Sequence, residues 1–591
     1  MMITEATNNK PQTINHRQTT NNKPQTTNHK QKMSTDKSKL SAVEHIKVKS
    51  DGLRGTIKES LRDEETGAIR EDDQAVIKFH GMYQQDDRDR REERAEKKLE
   101  RLYSYMIRLR LPGGFLPADK WVKMNEIADR YSTGVIKITT RQTIQLHGIL
   151  KSSIKPVISD FNAAELDSIA TCGDINRNVT SSAYIQDTSI HEAVDVYADK
   201  ISRLLMPKTK AYYEIWLDGE KLTDKEAEVD PLYQDRYLPR KFKIGIAIPP
   251  NNDTDVFTND IGLIAIVENG KLAGFNIAIG GGLSTTHGNA ETYARLGTVI
   301  GFADTEEKLL KAVYEIVTVQ RDFGNRTDRK LARLKYTVDR MGADAYREEV
   351  EKRAGFKLEA PRPFTFTERR DVYGWEKDDK GNWHYTVFIE NGRVTDENGV
   401  NLKTGLLKVA ETGKVLFRFT ANQHLILGDV KEKDKKIVQK ILDEHNIDAH
   451  TKNAGAVRKN SLACVALPTC PLALAEAQRY LPTLISLTEP VLAKHGLENE
   501  GIVLRMTGCP NGCARPYAAE IALIGTGPGL YNLHIGGDRI GQRLNTKYKE
   551  NLNEENILKE LDSLFGTYVK KRKSGETFGD FTNREILGNL N

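Results

Sequence analysis

The chain is poor in cysteine, with five in 591 residues, and four of those five fall within one stretch of 50. Domains that depend on disulfides are cysteine-dense and secreted, so a disulfide framework is excluded. No uninterrupted run of about 18 apolar residues occurs, the length a membrane-spanning helix needs. The nearest stretch, Ser461 to Ala477, is broken by Pro468 and Pro471. The N-terminus lacks the apolar segment of a secretory signal. With a mean hydropathy of −0.55, these absences point to a soluble protein of the reducing cytoplasm, with no membrane contact. Charge of one sign is not in surplus either. The chain has 88 Lys plus Arg against 83 Asp plus Glu, a net +5, too weak over this length to imply nucleic acid by itself. No G-x-G-x-x-G is present, so there is no nucleotide fingerprint, and no motif for flavin or NADPH.

The length suggests about four domains, at roughly 150 residues each. The first 32 residues are low in complexity. NNKPQTINHRQ recurs nearly verbatim as NNKPQTTNHKQ, with almost nothing apolar to bury, so residues 1–50 are expected to be a disordered tail. Met33 opens a more ordinary sequence, and a start at either Met1 or Met33 stays open. The ordered part is expected to begin near residue 70. Asp86 to Arg101, dense in both charge signs, reads as a solvated helix. Beyond it, MIRLRL, VIKIT, TIQLHGIL, KFKIGIAI and LIAIV read as strands, and KWVKMNEIADRY and HEAVDVYADKISRLL as helices. The class is mixed α and β.

The chain also repeats itself. Ile136 to Leu146 (IKITTRQTIQL) aligns with Phe417 to Leu427 (FRFTANQHLIL), and GFNIAIGGG at Gly274 resembles LYNLHIGGD at Leu530, in the same order. Two ordered matches predict a gene duplication and a pseudo-two-fold molecule with a site between its halves.

Only the second half carries the cysteine cluster. Cys464 and Cys470 are spaced C-x5-C, and after 38 residues Cys509 and Cys513 are spaced C-x3-C. Clustered cytosolic cysteines usually hold metal. Zinc knuckles prefer C-x2–4-C, whereas four thiolates suit an iron–sulfur cluster. Pro471 and Pro510 stiffen the loops, and Gly508 and Gly512 let the chain turn closely round a bulky group. Free buried thiols or a structural zinc are the plainer alternatives.

Cations alternate on apolar strands. Arg108 and Arg110 precede LPGG, Lys241 and Lys243 lie in LPRKFKIGIAI, and Arg141, Gln145 and His147 in TTRQTIQLHG, with Arg177 in CGDINRNV. Period-two geometry puts such pairs on one face, where they are costly to bury unless they meet anions. At about 4 Å and an effective dielectric near 20, one opposite-charge pair is worth about 4 kcal/mol. A small dianion could therefore hold several together. Gly280, Gly281 and Gly282 allow close backbone approach to a ligand. The basic segment Gln320 to Tyr336 fits either carboxylate binding or a surface.

IKFHGMYQQDDRD, RLRLPGG, TTRQTIQLHG, INRNV, LPRKFK, GFNIAIGGGLS, QRDFGNRTDRK, the C-x5-C pair and TGCPNGC together resemble the sulfite/nitrite reductase family, its assimilatory hemoprotein (beta) subunits most closely, over residue 50 to the C-terminus. The resemblance implies an α+β, internally duplicated pseudo-two-fold fold. Its parts would be a first ferredoxin-like half-domain with a partner-docking N-terminal segment (51–165), a first siroheme-binding domain (166–360), a second ferredoxin-like half-domain (361–450) and a second siroheme-binding domain with the cluster (451–591). It implies a [4Fe-4S] cluster on Cys464, Cys470, Cys509 and Cys513, with Cys513 bridging to siroheme. It places Arg108, Arg177, Lys241 and Lys243 around sulfite, and Lys137, Arg141, Gln145, His147, Gly281 and Asn511 against the macrocycle. Lys137 departs from the family, which commonly has Arg there and so a bidentate fork. The implied reaction is six-electron reduction of sulfite to sulfide, with electrons from NADPH through a flavoprotein (alpha) subunit, or alternatively from ferredoxin. Nitrite is the rival substrate, against which Lys243 argues because nitrite reductases tend to have Asn there. A zinc-bearing nucleic-acid-binding protein is the distant rival. Cys172 reads either as a small buried residue or as a thiol near the siroheme bonded to Tyr83.

Overall fold

A computed structural model describes residues 37–185, 187–209, 216–217, 220–221 and 229–589. The low-complexity repeat lies outside them.

Two of its sheets have five strands each and share one core. The first runs Met82–Asp86, Tyr103–Arg108, Ile144–Ile149, Ile136–Ile138, Arg393–Val394. The second runs Gly374–Lys377, Trp383–Val387, Leu425–Val430, Leu416–Phe419, Phe115–Pro117. Each takes its last strand from the other half of the chain. The separate half-domains expected over 51–165 and 361–450 are therefore interlocked. Trp121, on the helix Ala118–Tyr131, stacks on Phe417 of the other half with ring centroids 4.5 Å apart. Alternation explains the pairing: Ile136, Ile138, Ile144 and Leu146 are buried inward, as are Phe417, Phe419, Leu425 and Leu427, which leaves the polar positions between them on the opposite face.

The other two large sheets have one topology. Thr180–Ser181, Ile244–Ala247 and Ile261–Glu268 run parallel, followed by antiparallel Lys271–Ile279 and Thr298–Ala303. Ser461–Ala463, Leu504–Thr507 and Ile521–Gly527 likewise run parallel, followed by antiparallel Leu530–Ile535 and Thr546–Leu552. The duplication extends to single residues. Gln142 and Gln423, identical in the aligned repeats, both adopt positive φ (52° and 72°), in turns closed by Thr139 N–H to Thr143 O and Thr420 N–H to His424 O, each 2.9 Å. Asp255 and Arg515 precede equivalent 3-10 turns, both left-handed (φ 47° and 56°). They meet across the pseudo-two-fold as an ion pair of 3.1 Å.

The glycine repeat has the same explanation in both halves. A Cβ on Gly281 would sit 2.1 Å from Phe257 O, and one on Gly537 2.3 Å from Ala519 O. Neither position tolerates a side chain without backbone movement. Gly281→Ala is expected to cost about 1–3 kcal/mol by overpacking. Gly527→Ala, whose Cβ would meet nothing nearer than 3.8 Å, is expected to be nearly neutral. Chemical denaturation of the two variants compares them.

Two expectations need correction. Order begins well before residue 70: helix α1 (Ala42–Lys49) buries Glu44 and Lys47, and Leu53 is fully buried in the core behind the sheet of residues 180–303. Thr56 and Ser60 tie this segment to Asp73 at 2.8 and 2.5 Å. Buried ion pairs and side-chain hydrogen bonds, invisible to hydrophobic periodicity, hold it. The segment Asp86 to Arg101 is not one solvated helix. Only a 3-10 turn at Arg88–Arg90 and a short α-helix at Arg91–Glu96 form, because Asp86 ends a strand and Arg88 and Asp89 reach to the 464–480 loop.

Candidate active site

The cation row begins on the first sheet. Register sets Arg108 opposite Gln145, Gln145 opposite Lys137, and Lys137 opposite Arg393. Three strands thus bring Arg108, Gln145 and Lys137 abreast. In its preferred amide orientation Gln145 Oε1 accepts from Arg108 Nε (3.1 Å) and Nη2. Arg108 Nη1 also donates to Thr171 O and approaches Cys172 Sγ, both at 3.2 Å. Arg177 Nη1 donates to the same Thr171 carbonyl at 2.9 Å, with Tyr83 beside it. Cys172 is buried beside these guanidinium groups. Lys137 points to the Asn391 carbonyl, on the side of Cys464, and burial pushes its ammonium down to about 7. His147 Nδ1 lies 3.0 Å from Gln85 Oε1, while its buried Nε2 has no partner. Burial holds this imidazole neutral, pushed down to about 3.

Arg141, Lys241, Lys243, Arg333, Arg515 and Asn511 line one cleft of about 430 Å³ of empty space. Burial, and after it the neighbouring Arg240, push Lys241 down to about 7. Lys243 is pushed well below the usual lysine range by burial and by Lys241, Arg141 and Arg333. Neither ammonium has an ion pair or hydrogen bond among the described residues. Holding two such half-buried cations side by side is unfavourable unless an anion joins them. Arg141 Nη1 donates to Asn259 Oδ1 at 2.6 Å, yet its buried Nε is unpartnered. The cleft is a cradle for a polyanion with capacity left over.

The four clustered cysteines converge beside it. Burial pushes Cys464 well up and Cys470 to about 11, and in both cases Cys513 is the next largest cause. The thiols of Cys464, Cys470 and Cys509, each pushed up by burial and by the neighbouring sulfurs, stay protonated unless a cation neutralises them. Thiolate ligation of a metal cluster does this. Donors for the sulfurs are in place: Gly508 N–H points at Cys464 Sγ (3.4 Å) and Asn511 Nδ2 at Cys509 Sγ (3.5 Å). A Cβ on Gly508 would lie 2.4 Å from Ala475 O, so only glycine lets the two loops close. Among the described residues no three His, Cys, Asp or Glu side chains are gathered as for a single metal ion. Thr140 Oγ1 donates to Cys513 O at 3.0 Å, joining the cysteine loop to the TTRQ turn, and Cys513 is exposed beside the cationic cleft. Arg88 Nη1 donates to Ala473 O (2.7 Å) and Cys470 O (3.2 Å), holding the loop from the other side.

Some readings move. Arg110 does not share a face with Arg108. The strand ends at Arg108, and Arg110 pairs with Asp167 at 2.9 Å. Gly281 acts through backbone packing against Phe257 and Asn259, the latter a neighbour of Arg141. The basic segment after Gln320 divides. Arg333 binds Asp260 through two nitrogens (3.1 and 2.7 Å) and lines the cleft, and Lys335 Nζ caps the Ser284 carbonyl at 2.8 Å. Arg333 and Arg515 were not singled out from sequence. Arg515 stands two residues beyond the TGCPNGC motif, while for Arg333 only the basic segment gives a signal.

The segments 98–164 and 376–445 match the model of the nitrite/sulfite reductase ferredoxin-like half domain. Residues 197–358 match that of the nitrite and sulphite reductase 4Fe-4S domain. That last segment contains none of the five cysteines. The two repeats share one sheet order, and the thiols belong to the other copy. Over 546 residues the chain is 62% identical to a sulfite reductase [NADPH] hemoprotein beta-component from Leptospira biflexa serovar Patoc, covering 92% of this chain and 98% of that protein. It is 51% identical to the protein of the same description from Staphylococcus haemolyticus, covering 92% and 95%. The structure of the Mycobacterium tuberculosis NirA protein superposes with a TM-score of 0.75 at 22% identity, over 93% of this chain and 98% of that one, and shares the fold. By sequence over nearly its whole length, and by the convergence of cations and thiols on one cleft, the chain belongs to the nitrite and sulfite reductase family.

Proposed function

We propose that this chain is the hemoprotein subunit of an NADPH-dependent sulfite reductase and reduces sulfite to sulfide. The observation that carries the reading is the pair of unpartnered, half-buried ammonium groups of Lys241 and Lys243, which open onto the same cleft as the Cys509–Cys513 loop. Cys464, Cys470, Cys509 and Cys513 would hold a [4Fe-4S] cluster, and the Arg141, Arg333 and Arg515 guanidinium groups the carboxylates of a siroheme. Together those groups supply electrons singly to the bound substrate.

The chain's own residues do the rest. Arg108, Arg177, Lys241 and Lys243 neutralise the oxyanion and polarise its S–O bonds, an electrostatic contribution strongest in a water-poor site. An ammonium near 7, as at Lys241, can give up a proton at neutral pH, which suits a general acid. Bound substrate charge would raise both lysines and reload them. The neutral His147 and the Arg108–Gln145 contact support the row from behind. The described chain has no helix long and apolar enough to cross a membrane. The relatives' printed names specify NADPH, which supports a flavoprotein partner over ferredoxin as the donor.

The test is the visible spectrum, the iron content and the dye-driven turnover of protein produced with siroheme available. A brown-green protein that turns over sulfite faster than nitrite is expected. Colourless, iron-free protein after anaerobic reconstitution would refute the reading.

A further inference from the structure

Arg177 and Lys241 lie on two loops that stand back to back. Leu238 N–H donates to Asp174 O at 3.0 Å, Phe242 N–H to Ile175 O at 3.0 Å, and Arg177 N–H to Phe242 O at 2.9 Å. The placement of Lys241 in the cleft, and of the Arg177 charge beside it, depends on this seam. Behind it sits a buried charge network to which α1 contributes two members. Lys47, 2% exposed, donates from Nζ to Leu238 O at 2.8 Å and to Glu44 Oε1 at 2.5 Å, and lies 3.5 Å from Asp174 Oδ2. Asp174 takes Arg329 through both carboxylate oxygens (2.7 and 3.0 Å). Glu44 pairs with Arg326 Nη1 at 2.6 Å, and Arg326 Nη2 donates to Tyr237 O at 2.7 Å. The end of α1 is fastened by Ser41 N–H to Arg326 O at 3.0 Å.

Apolar packing alone would hold a helix here without fixing its register. A buried ammonium is costly and directional. It contacts the seam at the Leu238 carbonyl, three residues before Lys241, and at Asp174, three residues before Arg177. We propose that Lys47 is a positioning residue for substrate binding: through Leu238 O and Asp174 it sets where Lys241 stands in the cleft and where Arg177 stands beside it, so that the N-terminal helix supports the anion site. The proposal rests on the cleft being the sulfite site.

The test uses the holoenzyme with a reduced low-potential dye as donor, and compares the wild type with Lys47→Met, Lys47→Arg and the charge-balanced pair Glu44→Gln/Lys47→Met. The pair removes one charge of each sign and serves should the single variant fail to fold. Expected for Lys47→Met and the pair are a KM for sulfite raised about tenfold, the equivalent of 1.4 kcal/mol, a kcat within about twofold and unchanged iron and siroheme content, with Lys47→Arg restoring part of the loss. Amide exchange measured without substrate should quicken over residues 172–178 and 236–243, and stay unchanged in the Leu416–Phe419 and Leu425–Val430 strands. An unchanged KM, a kcat falling together with cofactor content, or unaltered exchange at the two loops would each overturn the proposal. A wild-type enzyme inert towards sulfite would sink the functional reading, and the exchange result would still decide whether Lys47 holds the loops.

Discussion

Cys470→Ser is expected to yield a folded protein that has lost iron–sulfur absorbance and sulfide production together. The loss should exceed the roughly 10–100-fold typical of changes in groups that only support a metal ligand. Serine is nearly isosteric, so the loops Ser461–Ala463 and Leu504–Thr507 position can still close. What it lacks is a proton that leaves at accessible pH. Burial already pushes the Cys470 thiol up to about 11, and only a bound cation makes its thiolate favourable. The control is Cys172→Ser. Cys172 sits beside Arg108 at 3.2 Å and outside the sulfur cluster, so its removal should leave iron content unchanged. Full iron and colour in Cys470→Ser would remove that residue from the ligand set.

The second large effect is expected from Lys243→Met. It keeps the length and apolar stem of the side chain and deletes a charge held between Lys241, Arg141 and Arg333. If the oxyanion is what joins these cations, kcat/KM for sulfite should fall about 10²–10³-fold, the range seen when one preorganised donor to a developing anion is removed. Iron and siroheme should stay at full occupancy. Without substrate the variant should be at least as stable as the parent, because it relieves like-charge repulsion and desolvation. Arg110→Met, which breaks a pair with Asp167 on the far side of the LPGG turn, should change turnover by less than about twofold. A Lys243→Met enzyme with unaltered sulfite kinetics would show that the substrate sits elsewhere.

The structure also changes what a truncation can reveal. Removing residues 1–70 would take away α1, Leu53 and the Thr56 and Ser60 contacts to Asp73. It would therefore damage dye-driven and NADPH-driven turnover alike, and could not isolate a docking segment.

Several features were legible in the residues alone. The doubled motifs announced the pseudo-two-fold, because Gln142 and Gln423 occupy one unusual turn and Gly281 and Gly537 one crowded contact. Such steric demands are local and leave a mark at each copy. The cysteine spacing pointed to four thiols gathered at one place, and the two pairs do converge on the same loops. Lys241 and Lys243, alternating in one segment, both reach the same cleft, because period-two geometry is local. Distances between segments far apart in the chain were decided only in three dimensions. Which basic residues of the Gln320 to Tyr336 segment face the cleft depends on Asp260 and Asp174, carboxylates 73 and 155 residues away from their arginines. That the two ferredoxin-like halves exchange edge strands, and that a charged N-terminal helix braces the substrate loops, rests on long-range ion pairs and sheet register. Periodicity reports the face a residue shows; it does not report which distant group that face will meet.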